Sequence, residues 1–236
     1  RQHVPRFPHK RFRGKNTMGV RGDAIVQFDW TVGQLMKKLH ELKIDDNTLV
    51  ILTSDNGPVV DDGYQDCAEE LLNGHSPAGP FRGNKYSAFE GGTAVPLVIS
   101  WPRKIKGGMV SKALVSHIDL LSSLGSLVQA RFPKGSAPDS RDYLPTLLGK
   151  DLKGRNYVIG QSNTHVLSVL TAQYRYIEPS NGPKMIQWGP KIETGNLPVP
   201  QLYDMTVSPF ESKNVADEHP NEVSRMQLIL KEERNR

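Results

Sequence analysis

One stretch limits the fold more than any other: Thr48-Leu49-Val50-Ile51-Leu52-Thr53-Ser54-Asp55-Asn56-Gly57-Pro58. Leu49 to Leu52 is an apolar run, β-branched at Val50 and Ile51, which suits the interior of a sheet. Asp55, Asn56, Gly57 and Pro58 then end it in a polar turn. In open α/β sheets, ligands bind just beyond the carboxyl ends of strands. A carboxylate and an amide oxygen at such a place suit a hard cation such as Ca²⁺ or Mg²⁺. Asn-Gly is also among the commonest turn dipeptides, so these residues alone leave a plain turn open.

The flanking sequence puts that strand in an α/β context. Ile25, Phe28, Val32, Leu35, Leu39 and Leu42 recur at three- and four-residue steps, which predicts a helix over 18–42 with Asn16 or Thr17 as its cap. Helix, turn and strand make the second half of a βαβ unit and favour a predominantly parallel sheet between helices. Pro96 to Trp101 is a second apolar strand, and Val115 to Val128 a helix with Ile118, Leu121, Leu124 and Val128 on one face. Tyr143 to Leu148 is a short helical turn. The stretch 59–85, rich in glycine, proline and acids, is a long loop of the kind that is functional or disordered.

The pattern changes near Gly154. Four short strands are predicted at Tyr157–Gly160, Leu167–Thr171, Tyr174–Glu178 and Gln201–Asp204, and a terminal amphipathic helix at Val223–Glu233. Strands followed by a helix suggest a small antiparallel subdomain over 154–236, set after an α/β unit over 1–153.

Composition narrows the function classes. The 236 residues carry a formal charge of +5, with basic residues concentrated in 6–21 and 82–112. Positive charge suits nucleic acid or a small or polymeric anion. No aromatic-interleaved motif supports nucleic acid, so none is expected as a partner. No apolar run approaches the roughly 20 residues of a membrane span. The lone Cys67 leaves no internal disulfide and no cysteine-rich metal site.

Three further stretches complete a pattern. They are His3-Val4-Pro5, then Arg82-Gly83-Asn84-Lys85 with Phe89-Glu90-Gly91-Gly92 and Val95-Pro96, and finally Leu202-Tyr203-Asp204-Met205 leading through Pro209 and Glu211 to Asn214-Val215-Ala216. With the Asp55 turn and Val115-Ser116-His117-Ile118-Asp119-Leu120-Leu121, this ordered set resembles the type I, formylglycine-dependent, arylsulfatase-like sulfatases of the alkaline-phosphatase superfamily. The resemblance runs through essentially the whole chain.

The resemblance implies roles. Asp55 and Asn56 match two ligands of a divalent cation, usually Ca²⁺. Lys85 matches the lysine that contacts the substrate sulfate, and His3 a histidine that contacts the ester and protonates the leaving oxygen. A cation and an ammonium offset charge on sulfuryl oxygens, and an imidazole titrates near neutrality. His75, in the long loop near Lys85, either touches the sugar or is exposed. Glu90-Gly91-Gly92, His117 and Asp119 read as structural, and Asp61, Asp62 and Asp66 as a solvated loop. Ala94 stands where the family often has arginine, which bears on substrate selectivity.

Cys67 lacks the Cys-x-Pro/Ala-x-Arg setting of the formylglycine precursor and is not the nucleophile. The nucleophile and the other metal-binding aspartates are expected upstream. The chain then reads as the C-terminal part of a sulfatase, partnered by the missing N-terminal portion and without turnover alone. The substrate implied is a sulfated small molecule or glycan, a sulfated sugar rather than an aryl sulfate. A periplasmic, secreted, cell-surface or lysosome-like location follows from the family. Two other readings are a phosphonate or phosphate ester hydrolase or phosphotransferase of the same superfamily, and a non-catalytic anion- or glycan-binding module.

Overall fold

The computed structural model describes residues 6–64, 66–188 and 191–236. Its first elements are helix α1 (Gly19–Glu41), strand β1 (Val50–Thr53), the single helical turn α2 (Glu90–Thr93) and strand β2 (Leu97–Ser100). Helix α3 (Asp119–Leu127) and the turn α4 (Leu144–Leu147) follow. Strands β3 (Val158–Gln161), β4 (Leu167–Leu170), β5 (Tyr174–Ile177) and β6 (Gln201–Asp204) form a four-stranded antiparallel meander, and helix α5 (Pro220–Arg234) closes the chain. Each predicted helix and strand is present, and the described residues of 59–85 hold no helix or strand.

The sense of the first strand pair differs from expectation. β1 and β2 run antiparallel, with Val50 opposite Ser100 and Thr53 opposite Leu97. Among the described residues every strand pairing is antiparallel. The cause is where the chain re-enters. β1 exits through the Asp55 turn, and the Gly57 N–H donates to the Gly92 carbonyl at 3.0 Å, just before β2 begins. Exit and entry therefore share one end of the pair, which forces antiparallel strands.

The predicted apolar stripes of α1 and α3 also differ. Phe28, Leu35 and Leu42 are exposed, as are Ile118, Leu121 and Val128. What α1 buries is Gly22, Asp23 and Ala24, and what α3 buries is Asp119, Ser123 and Gly125. Asp119 anchors α3: it accepts from Arg155 Nε at 2.7 Å and from the Ser116 and Arg141 N–H groups. Burial pushes its carboxyl up, but the Arg155 hydrogen bond and the backbone donors outweigh that and hold it below the usual range.

The main core lies on the two faces of the meander. Period-two alternation sends Val169, Tyr176 and Leu202 to one face, where they pack on Met226 and Leu230 of α5. Each such fully buried side chain stabilises by about 1.5–3 kcal/mol. The opposite face presents Ser168, Arg175, Ile177 and Tyr203. Ile177 and Tyr203 pack against Ala88 and Phe89, the residues that lead into α2.

A buried charge cluster locks that second face. Arg175 donates to the Ala88 carbonyl and to Ser168 Oγ, and pairs with Glu90. Its Nε lies 3.1 Å from Glu211 Oε1, close enough for attraction though too misaligned for a hydrogen bond. Glu211 Oε2 accepts the Glu90 N–H at 2.9 Å. One arginine thus faces two carboxylates, and burial wins at Glu211, whose pKa is pushed up from 4.5 to about 7.

The folded state therefore holds a proton on Glu211 that the unfolded chain releases. Its contribution is complete below pH 4.5 and fades as pH rises through about 7. At full size the effect amounts to about 3 kcal/mol. Wild type is expected to melt at a lower temperature at pH 8 than at pH 5 by more than Glu211→Gln does. Equal pH dependence of the two melting curves would show that Glu211 stays ionised.

Candidate functional site

The turn after β1 is built around glycines. A Cβ on Gly57 would lie 1.8 Å from the Gly91 carbonyl oxygen, one on Gly91 2.3 Å from that of Gly83, and one on Gly92 2.3 Å from that of Ser87. Only hydrogen fits at these three contacts. The Glu90-Gly91-Gly92 run is thus a packing junction. Two backbone hydrogen bonds add to it: Lys85 N–H to the Pro58 carbonyl at 2.8 Å, and Gly91 N–H to the Arg82 carbonyl at 2.8 Å. Lys85 is thereby fixed beside the Asp55 turn, despite the long loop between them.

Arg82 ties this junction to the second half of the chain. Its guanidinium grips Glu193 with two bonds of 2.7 and 2.9 Å, donates to the Glu211 carbonyl and stacks 4.0 Å over the Phe89 ring. The Glu193 carboxyl is held below its usual range by that pair. The Ala88 N–H donates to the Thr194 carbonyl, and the Asn163 N–H to the Tyr86 carbonyl. The Lys85–Glu90 segment is therefore clasped from both sides.

Asp55, Asn56 and Lys85 come together. All three line a cavity of about 990 Å³ whose walls include Arg21, Ile25, Pro80 and Phe81. The same three line an adjoining cavity of about 380 Å³, bounded by Tyr86, Thr93 and the end of β3 at Gln161, Ser162 and Asn163. Ala94 is on the wall of the larger cavity. His75 is exposed on the loop and lines neither. His3 lies outside the described residues.

The donors suit a hard cation as part of a ligand set. The Asn56 amide N–H₂ donates to the Gly57 carbonyl at 2.8 Å, which leaves its oxygen as the outward acceptor. Asp55 is exposed, and among the described residues one of its carboxylate oxygens accepts the Asn56 N–H at 3.0 Å. Two oxygen donors fall short of the six to eight that Ca²⁺ takes. Among the described residues no group of three or more histidine, cysteine, aspartate or glutamate side chains could hold an ion. Among the described residues, Asp55 and Asn56 are the two that fit such a cation.

Lys85 is not a surface lysine. Its side chain is 18% exposed, its Nζ lies 3.6 Å from Asp62 Oδ2, and it sits 5.0 Å above the Tyr86 ring. The Tyr86 hydroxyl donates to Asp62 Oδ1 at 2.6 Å; burial and this bond both push the phenol pKa up. Tyr86 holds a φ of 82°, a region non-glycine residues seldom occupy. Asp62 and Asp66 are therefore not the solvated carboxylates expected: Asp62 meets Lys85 and Tyr86, and Asp66 accepts from Arg6 Nη1 at 2.7 Å. Their partners are distant in sequence, so no local pattern reveals them. His117 is structural as expected, its Nε2 2.8 Å from Thr53 Oγ1 at the end of β1. Cys67 is a free, exposed thiol.

Residues 2–130 match the Sulfatase family profile. A curated N-acetylgalactosamine-6-O-sulfatase of Bacteroides thetaiotaomicron is 48% identical over 234 residues, covering 99% of this chain and 45% of the relative. Human steryl-sulfatase is 36% identical over 148 residues, 63% of this chain and 25% of that protein. A solved structure from work on glycosaminoglycan metabolism by Bacteroides thetaiotaomicron superposes with a TM-score of 0.96 at 48% identity, covering 99% of this chain and 48% of that one. The chain thus spans less than half the length of each of these relatives, and its α/β fold with a small antiparallel sheet and terminal helix is that of the sulfatase structure it superposes on. The profile match alone covers more than half of the residues: this chain belongs to the sulfatase family.

Proposed function

We propose that this chain forms part of a sulfuric ester hydrolase that removes sulfate from a sulfated carbohydrate. The observation that carries the reading is the meeting of Asp55, Asn56 and Lys85 on the shared wall of two cavities at the carboxyl end of β1. The similarity to an N-acetylgalactosamine-6-O-sulfatase points to a 6-O-sulfated amino sugar. The domain reading is part of the proposal: 1–153 belong to the catalytic unit, and 154–236 are a subdomain that braces it. So is export to the periplasm or cell surface; no helix among the described residues is long and apolar enough to cross a membrane.

In this reading Asp55 and Asn56 supply two oxygen ligands to Ca²⁺. When bound, the cation offsets negative charge on the sulfuryl oxygens. Lys85 adds an ammonium to the same group, poised by Asp62 and Tyr86 and partly screened from water, where charge acts more strongly. Cleavage passes the sulfuryl group from the ester oxygen to the oxygen of the attacking nucleophile, and the leaving sugar oxygen takes a proton. His3 is assigned that proton on the family resemblance. The nucleophile of this reading is the formylglycine that the family resemblance implies, and Cys67 is not its precursor. Gln161, Ser162 and Asn163 offer amide and hydroxyl groups to the sugar.

The test is release of inorganic sulfate from 6-O-sulfated N-acetylgalactosamine by the intact enzyme, beside release of phosphate from the 6-phosphate analogue. Sulfate release that exceeds phosphate release is the expected result. Preferential phosphate release, or none of either across a panel of sulfated sugars, would overturn the reading.

A further inference from the structure

Among the described residues, one cation on the cavity wall has no ion-pair partner. Arg21, in the first turn of α1, lines the cavity of about 990 Å³ together with Asp55, Asn56 and Lys85. Its Nη1 is buried with no hydrogen-bond partner. The charges around it do not neutralise it. Arg6 is a like charge, and Asp66 already pairs with Arg6 at 2.7 Å. The other Arg6 nitrogen, Nη2, is taken by the Val59 and Val60 carbonyls. Arg6 and Asp66 sum to zero, and Asp62 on the same wall pairs with Lys85, so among the described residues no carboxylate is paired with Arg21. Asp23, two residues on, is also committed: it accepts the Gly14 and Lys15 N–H groups and the Asn16 amide.

Burial and Arg6 both push the Arg21 pKa down and Asp66 pulls it up, yet an arginine stays charged throughout the physiological range. A half-buried guanidinium without an anion is costly. Its fork matches a planar oxyanion in bidentate fashion, and the apolar wall at Ile25 and Phe28 strengthens such a pair.

We propose that Arg21 binds a second anionic group of the substrate, a carboxylate or further sulfate on the sugar adjoining the ester that is cleaved. The inference rests on the sulfatase reading of this cavity. The substrate class is then an acidic oligosaccharide rather than a lone sulfated sugar.

The experiment compares intact wild-type enzyme with Arg21→Gln and Arg21→Lys on three substrates. These are the 6-sulfated amino sugar alone, the same sugar linked to a uronic acid, and the same sugar linked to a second sulfated residue. Arg21→Gln is expected to lower kcat/KM for an acidic disaccharide by about 10- to 100-fold more than for the monosaccharide, the effect of losing one charge-assisted pair. Arg21→Lys should recover part of that discrimination. Selective loss on the uronate substrate identifies a carboxylate, and selective loss on the disulfated one a sulfate. Calorimetric binding of the unsulfated uronate disaccharide, which needs no turnover, should weaken by a similar factor in Arg21→Gln. Equal losses on all three substrates with unchanged binding of that disaccharide would overturn the inference. A wild type that binds the disaccharide through Arg21 but releases no sulfate would overturn the catalytic reading and leave Arg21 standing.

Discussion

Replacing Lys85 by alanine lowers kcat/KM for a sulfated sugar by about 10³-fold in the intact enzyme, the range seen when one preorganised electrostatic contact is removed. The reason is position. Its backbone is tied to Pro58, its side chain is 18% exposed, and its ammonium lies between Asp62 and the Tyr86 ring at the junction of both cavities. No other lysine lines either cavity among the described residues. Folding should suffer less than turnover, because Asp62 keeps the Tyr86 hydroxyl as a donor. Steady-state kinetics beside a melting curve separate the two effects. A variant within threefold of wild-type kcat/KM would remove Lys85 from the proposed chemistry.

Replacing Arg175 by methionine costs about 3–5 kcal/mol of stability, the penalty for leaving a buried charge unpaired. Arg175 is 1% exposed and Glu211 is fully buried. Its loss strands two carboxylates and two oxygens, the Ala88 carbonyl and Ser168 Oγ. Because the cluster fixes Glu90 against β5, the same change should loosen the Lys85–Glu90 segment. Adding Glu211→Gln should return part of the loss, since a neutral amide then replaces a buried carboxyl that ionises as pH rises through about 7. Denaturant unfolding of the single and double variants measures both. A single variant within 1 kcal/mol of wild type, by that same scale, would mean that the cluster is not what holds the two halves together.

The elements were legible because local periods encode them. Val50 and Ile51 before Asp55-Asn56-Gly57, the three- and four-residue steps of 18–42, and the alternation around Tyr174 and Tyr176 each gave an element within a few residues. Strand direction was not legible, because it depends on the Gly57–Gly92 hydrogen bond across a long loop. Nor were the burial faces of α1 and α3: periodicity identifies an apolar stripe but not whether anything in the chain covers it.

Within the site, Asp55, Asn56 and Lys85 were found by ordered motifs, and the fold brings them to one wall. The charge partners were missed. Arg175 faces inward from β5, where Glu90 and Glu211 meet it from far along the chain. Arg6 with Asp66, and Asp62 with Lys85, likewise pair across distances that no local pattern carries.

The most direct measurement is calorimetric titration of Ca²⁺ into metal-stripped intact enzyme, comparing wild type with Asp55→Ala and with Asp45→Ala. Asp45 sits at the other end of β1, paired with exposed His40 at 2.9 Å. Saturable Ca²⁺ binding by wild type and Asp45→Ala, lost or weakened at least 100-fold in Asp55→Ala along with sulfate release, is the predicted result. Ca²⁺ binding by Asp55→Ala as tight as wild type would contradict the assignment of this turn as a cation site.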